Sequence, residues 1–469
     1  MDKTSILSLA NIVENEYSAF LNQVKKLEVF EFPTSACVDF VLKLKSEGED
    51  GLKKIRRIRR KLLSPHTISN NWTIEIHEIK AVRVRLIQSL APYIDWLNGA
   101  QTQKVPWSFI PTAERFSKGI IPKIKPILYS ENKYNYRIVW WENPKKKLQR
   151  YCFVSLPSLH RTNVLMHNLI GHELFHPKCK QFTKGLENSV ASEIAEECKE
   201  ECKRTHPEID PNTLWGQRTL AQMNKISMLA WERALHELLC DMFCAELFGP
   251  ASLLGMRAYA SFSDWMTKPG PENNFYPPLQ YRFEVVWQKA IDKHSLDNLC
   301  SEISKHESID SIGKAFRAEV DRFAAEKALE STSGFDFVNS SRDPLLRIAY
   351  KKVNDVINDA HKYVMSYVNK MSTKWKDERV LAQIPHLVIR LTNRIPPSEI
   401  PNFSFDAKKK IGNYSPEAAE LPAILIAGWM YQVHREQSYA KKKTKLLQYE
   451  TLCRLLLKAC EDSEMIRSN

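Results

Sequence analysis

The 469-residue chain is poor in glycine, with only 14. That scarcity argues against long flexible linkers and against an all-β repeat, both of which draw on residues that tolerate positive φ. A membrane-length apolar run is also missing. The longest stretch, Leu421 to Tyr431, covers about 11 residues and contains Pro422, whereas a bilayer crossing needs ~20. It is expected to be a buried helix. The first 27 residues lack the apolar stretch of a signal peptide. Instead Ile6, Leu9, Val13, Tyr17, Phe20, Val24 and Leu27 recur three or four apart, which predicts a helix with one buried face. The expected location is cytoplasmic.

The ten cysteines include no CxxC pair. With no export signal, they are expected to be free thiols. Cys198/Cys202 and Cys240/Cys244 have helical i,i+4 spacing and read as small residues on helix faces, with a second metal site as the alternative.

Negative charge is in deficit, 55 Asp and Glu against 68 Lys and Arg, for a net charge of +13. The excess gathers in runs at Lys53–Lys61 (KKIRRIRRK), Lys145–Lys147, Lys408–Lys410 and Lys441–Lys445. Ile55, Ile58 and Leu62 interleave the first run at helical spacing, predicting an amphipathic helix with a basic outer face. Such a face could meet an acidic partner or nucleic acid, although a solvated surface is its commoner meaning. No zinc-finger spacing or RNA-binding signature accompanies it.

Three regions are expected: 1–105, helical, with Ile79, Val82, Leu86 and Leu90 on one face; 106–300, a core region; and 301–469, helical again. Strands are predicted at Tyr136–Trp141 and Arg150–Leu156, a hairpin around the polar turn 142–149. Helices are predicted at Leu220–Phe248, Ile312–Ala328, Leu345–Met371, Pro416–Arg435 and Lys442–Cys460.

The chemistry is carried by His167-Asn-Leu-Ile-Gly-His172-Glu173-Leu-Phe-His176-Pro177. Residues four apart share a helix face, so His172 and His176 can point their imidazoles at one Zn²⁺, with Glu173 reaching the position where water binds. Leu174 and Phe175 are left to anchor the helix, and Pro177 is expected to let the chain turn off after the second ligand. His167, five residues before His172, falls off the ligand face. A third ligand is needed. The extension HxxGxxH is absent, since Cys179 and Phe182 occupy its Gly and His positions. Glu237 in His236-Glu-Leu-Leu-Cys-Asp241 can complete the set, with Asp241 one turn on accepting the N–H of a ligand imidazole. Glu193, Glu196 and Glu197 are rivals in a stretch that reads as an exposed charged helix.

HELFH followed by an ExxxD helix resembles the gluzincins, among them thermolysin and the CAAX prenyl protease/HtpX group. The latter carry a His-Pro-Pro stretch and an Arg after the Glu helix; here Tyr276-Pro277-Pro278 precedes Arg282, with Tyr276 in place of His. The resemblance spans about His160 to Arg282. The interval from His176 to Glu237 is longer than in thermolysin, and the membrane helices of the prenyl-protease group are absent. The resemblance implies an α+β, predominantly α-helical protein: a zincin-like catalytic core with a short β-sheet, flanked by helical N- and C-terminal regions. It implies a zinc peptidase acting on protein or peptide substrates, with Glu173 as base. Tyr276, Arg282 and His236 are candidates to stabilise the developing oxyanion, the first two preferred for their place in the resembling segment. One hairpin strand would pair with extended substrate. The alternatives are a non-catalytic helical scaffold that retains a zinc site, and a polyanion-binding protein.

Overall fold

Helical periodicity in the opening residues becomes α1 (Lys3–Leu27), which buries Ile6, Ala10, Val13, Tyr17, Phe20, Val24 and Leu27. Ala10 takes the core position expected of Leu9. The computed structural model describes residues 3–64, 72–122, 124–133, 136–142, 150–260, 269–329, 343–406, 411–438 and 442–468. The predicted turn 142–149 lies almost wholly outside these, as do the basic runs at 145–147 and 408–410 and Lys441; the side chains of Lys442–Lys445 are also undescribed. The chain divides into two compact units, 1–110 with 123–161, and 111–122 with 162–469.

In the first unit α1 is followed by α2 (Ser35–Leu63), α3 (Thr73–Val84), a π-helical turn (Arg85–Leu90) and α4 (Pro92–Gly99). Thr34 caps α2 by accepting the Cys37 N–H at 3.4 Å. Three strands follow: β1 (Ile124–Glu131), β2 (Arg137–Glu142) and β3 (Arg150–Pro157). The predicted pair forms antiparallel with Arg137 opposite Ser155. The sequence reading missed β1, which pairs parallel to β3 with Ile124 opposite Arg150. Its Pro126 obscured it, but proline is tolerated on an edge strand. The order β1-β3-β2 makes β3 central. Arg150–Leu156 therefore cannot be the strand that pairs with substrate, since both its edges are already hydrogen-bonded. The strands, grouped above with region 106–300, share a core with α1–α4. Phe40 sits at its centre, 4.8 Å from the ring of Phe153 and 5.1 Å from that of Tyr93. Gly51 lets α2 approach α1 closely: a Cβ there would lie 2.1 Å from Tyr17 Cε1.

The basic segment of α2 buries Ile55, Ile58 and Leu62, as predicted. Its cations are partly neutralised within the unit. Arg56 and Arg59 pair with Glu14 at 2.8 and 2.6 Å, and Lys61 with Glu75 at 2.5 Å.

The second unit contains α5 (Ile110–Ile120), α6 (Asn168–Thr205), α7 (Leu214–Phe248), α8 (Pro250–Ala260), α9 (Leu279–Ala290), α10 (Lys293–Ser304), α11 (Asp310–Leu329), α12 (Pro344–Val368) and α13 (Glu378–Thr392). Short strands β4 (Glu399–Ile400), β5 (Phe403–Asp406), β6 (Ile411–Tyr414) and β7 (Glu417–Ala418) precede α14 (Leu421–Ser438) and α15 (Lys442–Ser468). They pair as β4-β7 and β5-β6. These strands escaped the sequence reading because two to four residues carry no periodicity. Leu421 to Tyr431 is buried throughout, and among the described residues no helix is long and apolar enough to cross a membrane.

Helices α6 and α7 form an antiparallel hairpin, seen in the contacts Cys179–Cys240 (3.3 Å) and Cys198–Ser227 (3.6 Å). Contrary to expectation the chain does not turn off at Pro177: α6 runs on to Thr205. A proline removes one N–H and crowds the carbonyl four residues back, costing about 3 kcal/mol. The packing of Cys179, Thr183, Val190, Ile194, Cys198 and Cys202 into the core outweighs that cost. Helix α7 stops at Gly249, whose φ of +57° suits glycine and whose Cα faces the Trp375 indole.

Candidate metal centre

His172 stands in the second turn of α6 with its side chain buried. Its Nδ1 lies 2.9 Å from Asp241 Oδ1 on α7. An ionised carboxylate only accepts, so Nδ1 donates, and in the neutral imidazole the lone pair is on Nε2. That nitrogen faces Glu237 Oε2 at 3.3 Å. His176 Nε2, one turn along, is 4.0 Å from Glu237 Oε1 and 3.9 Å from Glu173 Oε2. The sequence-predicted set His172, Glu173, His176, Glu237 and Asp241 is thus gathered between two helices. Leu174 and Phe175 are buried as expected, Phe175 stacking on Phe243 with centroids 4.1 Å apart.

Arg282, on α9, closes the far side. It donates from Nε to Asp241 Oδ2 at 2.7 Å and from Nη2 to Asp241 Oδ1 at 2.9 Å, and Nη2 lies 3.2 Å from Glu237 Oε2. Burial alone would raise the pKa of both acids, but Arg282 and His172 reverse this and hold them ionised. Burial likewise opposes charge on His172, yet Asp241 and Glu237 win and raise it to about 10. His176 has no such partner and is pushed down to about 4, chiefly by burial. Among the described residues Glu237 Oε1 is buried with no hydrogen-bond partner. A stranded carboxylate oxygen facing an imidazole nitrogen is costly unless a cation fills the gap.

Cys240, considered from the sequence only with Cys244 as an alternative second metal site, lies instead beside the two histidines, a placement the sequence reading missed. His172, His176 and Cys240 form a group that could hold a metal ion, with ligand atoms within 4.8 Å of one another. The signal was available, because Cys240 lies on the same helical turn as Glu237 and Asp241. Its Sγ is 3.4 Å from His176 Nδ1. Glu237 instead faces Nε2, on the opposite side of the ring. One ion cannot use both faces of that imidazole, so Glu237 and Cys240 are competing partners for His176. Burial pushes the Cys240 thiol well up, whereas Glu237 is already ionised.

Tyr276 is 41% exposed, its ring 4.7 Å from the Arg233 guanidinium. Glu237 is the strongest influence on its phenol, pushing it up to about 12, so it keeps its proton at neutral pH. Burial raises the phenol of Tyr259, at the end of α8; the charges of Glu173 and Glu237 add to this and Arg282 opposes it. Nothing in the sequence marked it, since it comes from a separate helix. His236 is tied to Thr183 Oγ1 at 2.6 Å, and burial holds it down at about 4. His167 is buried at the entry to α6. The rival ligands Glu193 and Glu197 pair with Lys352 and Lys351 of α12, and Glu196 with Lys199. A groove of about 990 Å³ runs along this part of α6 and α12, lined by Glu196, Glu200, Arg204 and Arg347 among others, and it includes none of the site residues.

All ten cysteines are free thiols. No family model, no curated protein and no solved structure matches the chain.

Proposed function

We propose that the protein is a zinc-dependent endopeptidase of the gluzincin type, with a zincin-like core, acting on protein substrates with narrow specificity. The observation that carries this reading is the buried, unpartnered Glu237 Oε1 facing His176, beside a His172 whose Nδ1 is already committed to Asp241. His172, His176 and Glu237 would hold the ion, and their nitrogen–oxygen donor set is one that zinc accepts. Zinc bound there supplies Lewis-acid polarisation of a carbonyl and eases ionisation of water.

The remaining chemistry belongs to the chain's own side chains. Glu173 accepts the proton of the attacking water and passes it to the leaving nitrogen. Tyr276 donates its O–H to the developing oxyanion. Arg282 commits Nε and Nη2 to Asp241 and Glu237, which favours a positioning role over the oxyanion-donor role its place in the sequence suggested. Asp241 fixes the tautomer of His172.

Metal analysis and cleavage of the full chain test this together. Purified protein is expected to carry zinc that His172→Ala removes. Glu173→Gln is expected to keep the zinc and lose cleavage of an unfolded protein substrate. Zinc insensitive to His172→Ala overturns the ligand set, and equal cleavage by wild type and Glu173→Gln overturns the mechanism.

The Cys240 thiol beside His176 favours a second reading, a non-catalytic metal site on a helical scaffold. Under it Cys240→Ser releases the metal and Glu237→Gln does not; the peptidase reading expects the reverse. Binding of a polyanion by α2 has less support, since three of its cations already pair with Glu14 and Glu75.

A further inference from the structure

Away from the metal-binding residues, the second half of α5, the C-terminal end of α7, residues 370–373 after α12 and the start of α14 surround a pocket of about 190 Å³. Phe116, Phe248 and Leu421 are among its apolar lining, with the rings of Phe116 and Phe248 5.5 Å apart. Its charged lining consists of two cations, Arg115 and Lys370, and no acidic residue. Arg115 donates from Nε to Glu464 Oε1 on α15 at 2.9 Å, with its side chain one-third exposed. Its Nη1 and Nη2 make no hydrogen bond among the described residues. Glu464 is itself divided, since it also accepts from Arg467 Nη1 at 3.0 Å and from Thr112 Oγ1 at 3.4 Å. Lys370 is exposed, lies 5.0 Å from the centre of the Tyr367 ring and forms no ion pair among the described residues.

We infer that this pocket binds a small apolar carboxylate, its hydrocarbon against Phe116 and Phe248 and its carboxylate on Arg115 and Lys370. The volume falls below the ~300–1,000 Å³ of sites for drug-sized ligands, which limits the occupant to about ten non-hydrogen atoms. A bond made through Nε leaves the end of the guanidinium open, and its two terminal nitrogens match the two oxygens of a carboxylate. The ammonium of Lys370 adds a compact charge. A neutral ligand of the same shape would leave these donors unspent, and a carboxylate without hydrocarbon would leave the aromatic wall in water. Both halves of the ligand are therefore needed. The pocket contains none of the metal-binding residues, so its ligand does not depend on the peptidase reading.

The test uses the full-length protein as purified, with para-fluorophenylacetate as a reporter followed by fluorine NMR. Phenylacetate, phenylacetamide and acetate are the competitors. Phenylacetate is expected to displace the reporter at about tenfold lower concentration than either of the others. Lys370→Gln and Arg115→Lys, the latter keeping a cation beside Glu464 but losing the fork, are each expected to weaken phenylacetate about three- to tenfold and to leave phenylacetamide unchanged. Should Arg115→Lys lower the melting temperature, Lys370→Gln decides, because Lys370 is exposed and unpaired. His172→Ala is expected to bind the reporter as wild type does. Absence of displaceable reporter, equal displacement by acid and amide, or unchanged affinity in both variants overturns the pocket's assignment. Binding that His172→Ala abolishes overturns it too, since the carboxylate would then sit among the metal-binding residues.

Discussion

Arg282 grips Asp241 through both carboxylate oxygens, Nε to Oδ2 at 2.7 Å and Nη2 to Oδ1 at 2.9 Å. Both acids are buried and the Arg282 side chain is only 12% exposed, so the arginine compensates two carboxylates that are largely removed from water. Arg282→Gln leaves Asp241 and Glu237 uncompensated. It is expected to lower stability by about 3–5 kcal/mol in denaturant titration. Zinc affinity should fall about 10–100-fold, because the carboxylates lose their fixed positions. Arg282→Lys should rescue only part of either effect, lacking the planar fork. An unchanged denaturation midpoint in Arg282→Gln would show that the pair contributes nothing.

Zinc binding should release a proton. Without metal, burial disfavours charge on His172, but Asp241 and Glu237 raise it to about 10 against an unfolded value of about 6.5. A raised folded value means that this contribution to stability is complete below about pH 6.5 and lost as pH climbs toward 10. The metal requires the neutral imidazole, so affinity should increase with pH across the same interval. Calorimetric titration of metal-free protein in two buffers of different ionisation enthalpy measures the released proton directly. Identical heats in both buffers would contradict the assignment.

Replacing Pro177 with alanine should stabilise the protein. The substitution restores a backbone N–H opposite the Glu173 carbonyl and removes a ring that crowds it, a gain of up to about 3 kcal/mol. Zinc content should be unaffected, since His172 and His176 both precede the substituted position on an unbroken α6 and Glu237 lies on α7. A lower unfolding midpoint would mean that α6 is shaped around the proline.

Gly51→Ala should destabilise the first unit with no effect on zinc content. The added methyl would lie 2.1 Å from Tyr17 Cε1, and Tyr17 is held by its hydrogen bond to the Val82 carbonyl at 3.0 Å. Overpacking of this kind costs about 1–3 kcal/mol. Circular dichroism melts together with metal analysis separate this effect from any change at the site.

Much of the helical architecture was legible because long amphipathic helices repeat their signal: α1, α7 and α12 were expected close to where they lie, and of α2 its basic final third. The same holds for the site residues on α6 and α7, which are brought together by i,i+4 spacing on two helices. Partnerships made across the fold were not legible. The two hydrogen bonds from Arg282 to Asp241 join residues 41 apart, and the nearness of Cys240 to His176 joins residues 64 apart. Tyr259 had no spacing relation to the motif at all. β1 failed for a different reason: it is held by parallel pairing with β3, and an edge strand with an internal proline carries little alternation of its own.

The length of α6 constrains how distant parts of the second unit can influence one another. At 1.5 Å per residue, Glu196 in the α6–α12 groove is about 36 Å along the helix from His172. A molecule seated in that groove could not touch anything bound at His172. Its influence would have to travel as a rigid displacement of the helix, moving His172 and His176 together against Glu237 and Asp241. Such a displacement would loosen the metal ligands as a set, so metal retention, more than substrate affinity, is the quantity through which the far end of α6 would make itself felt.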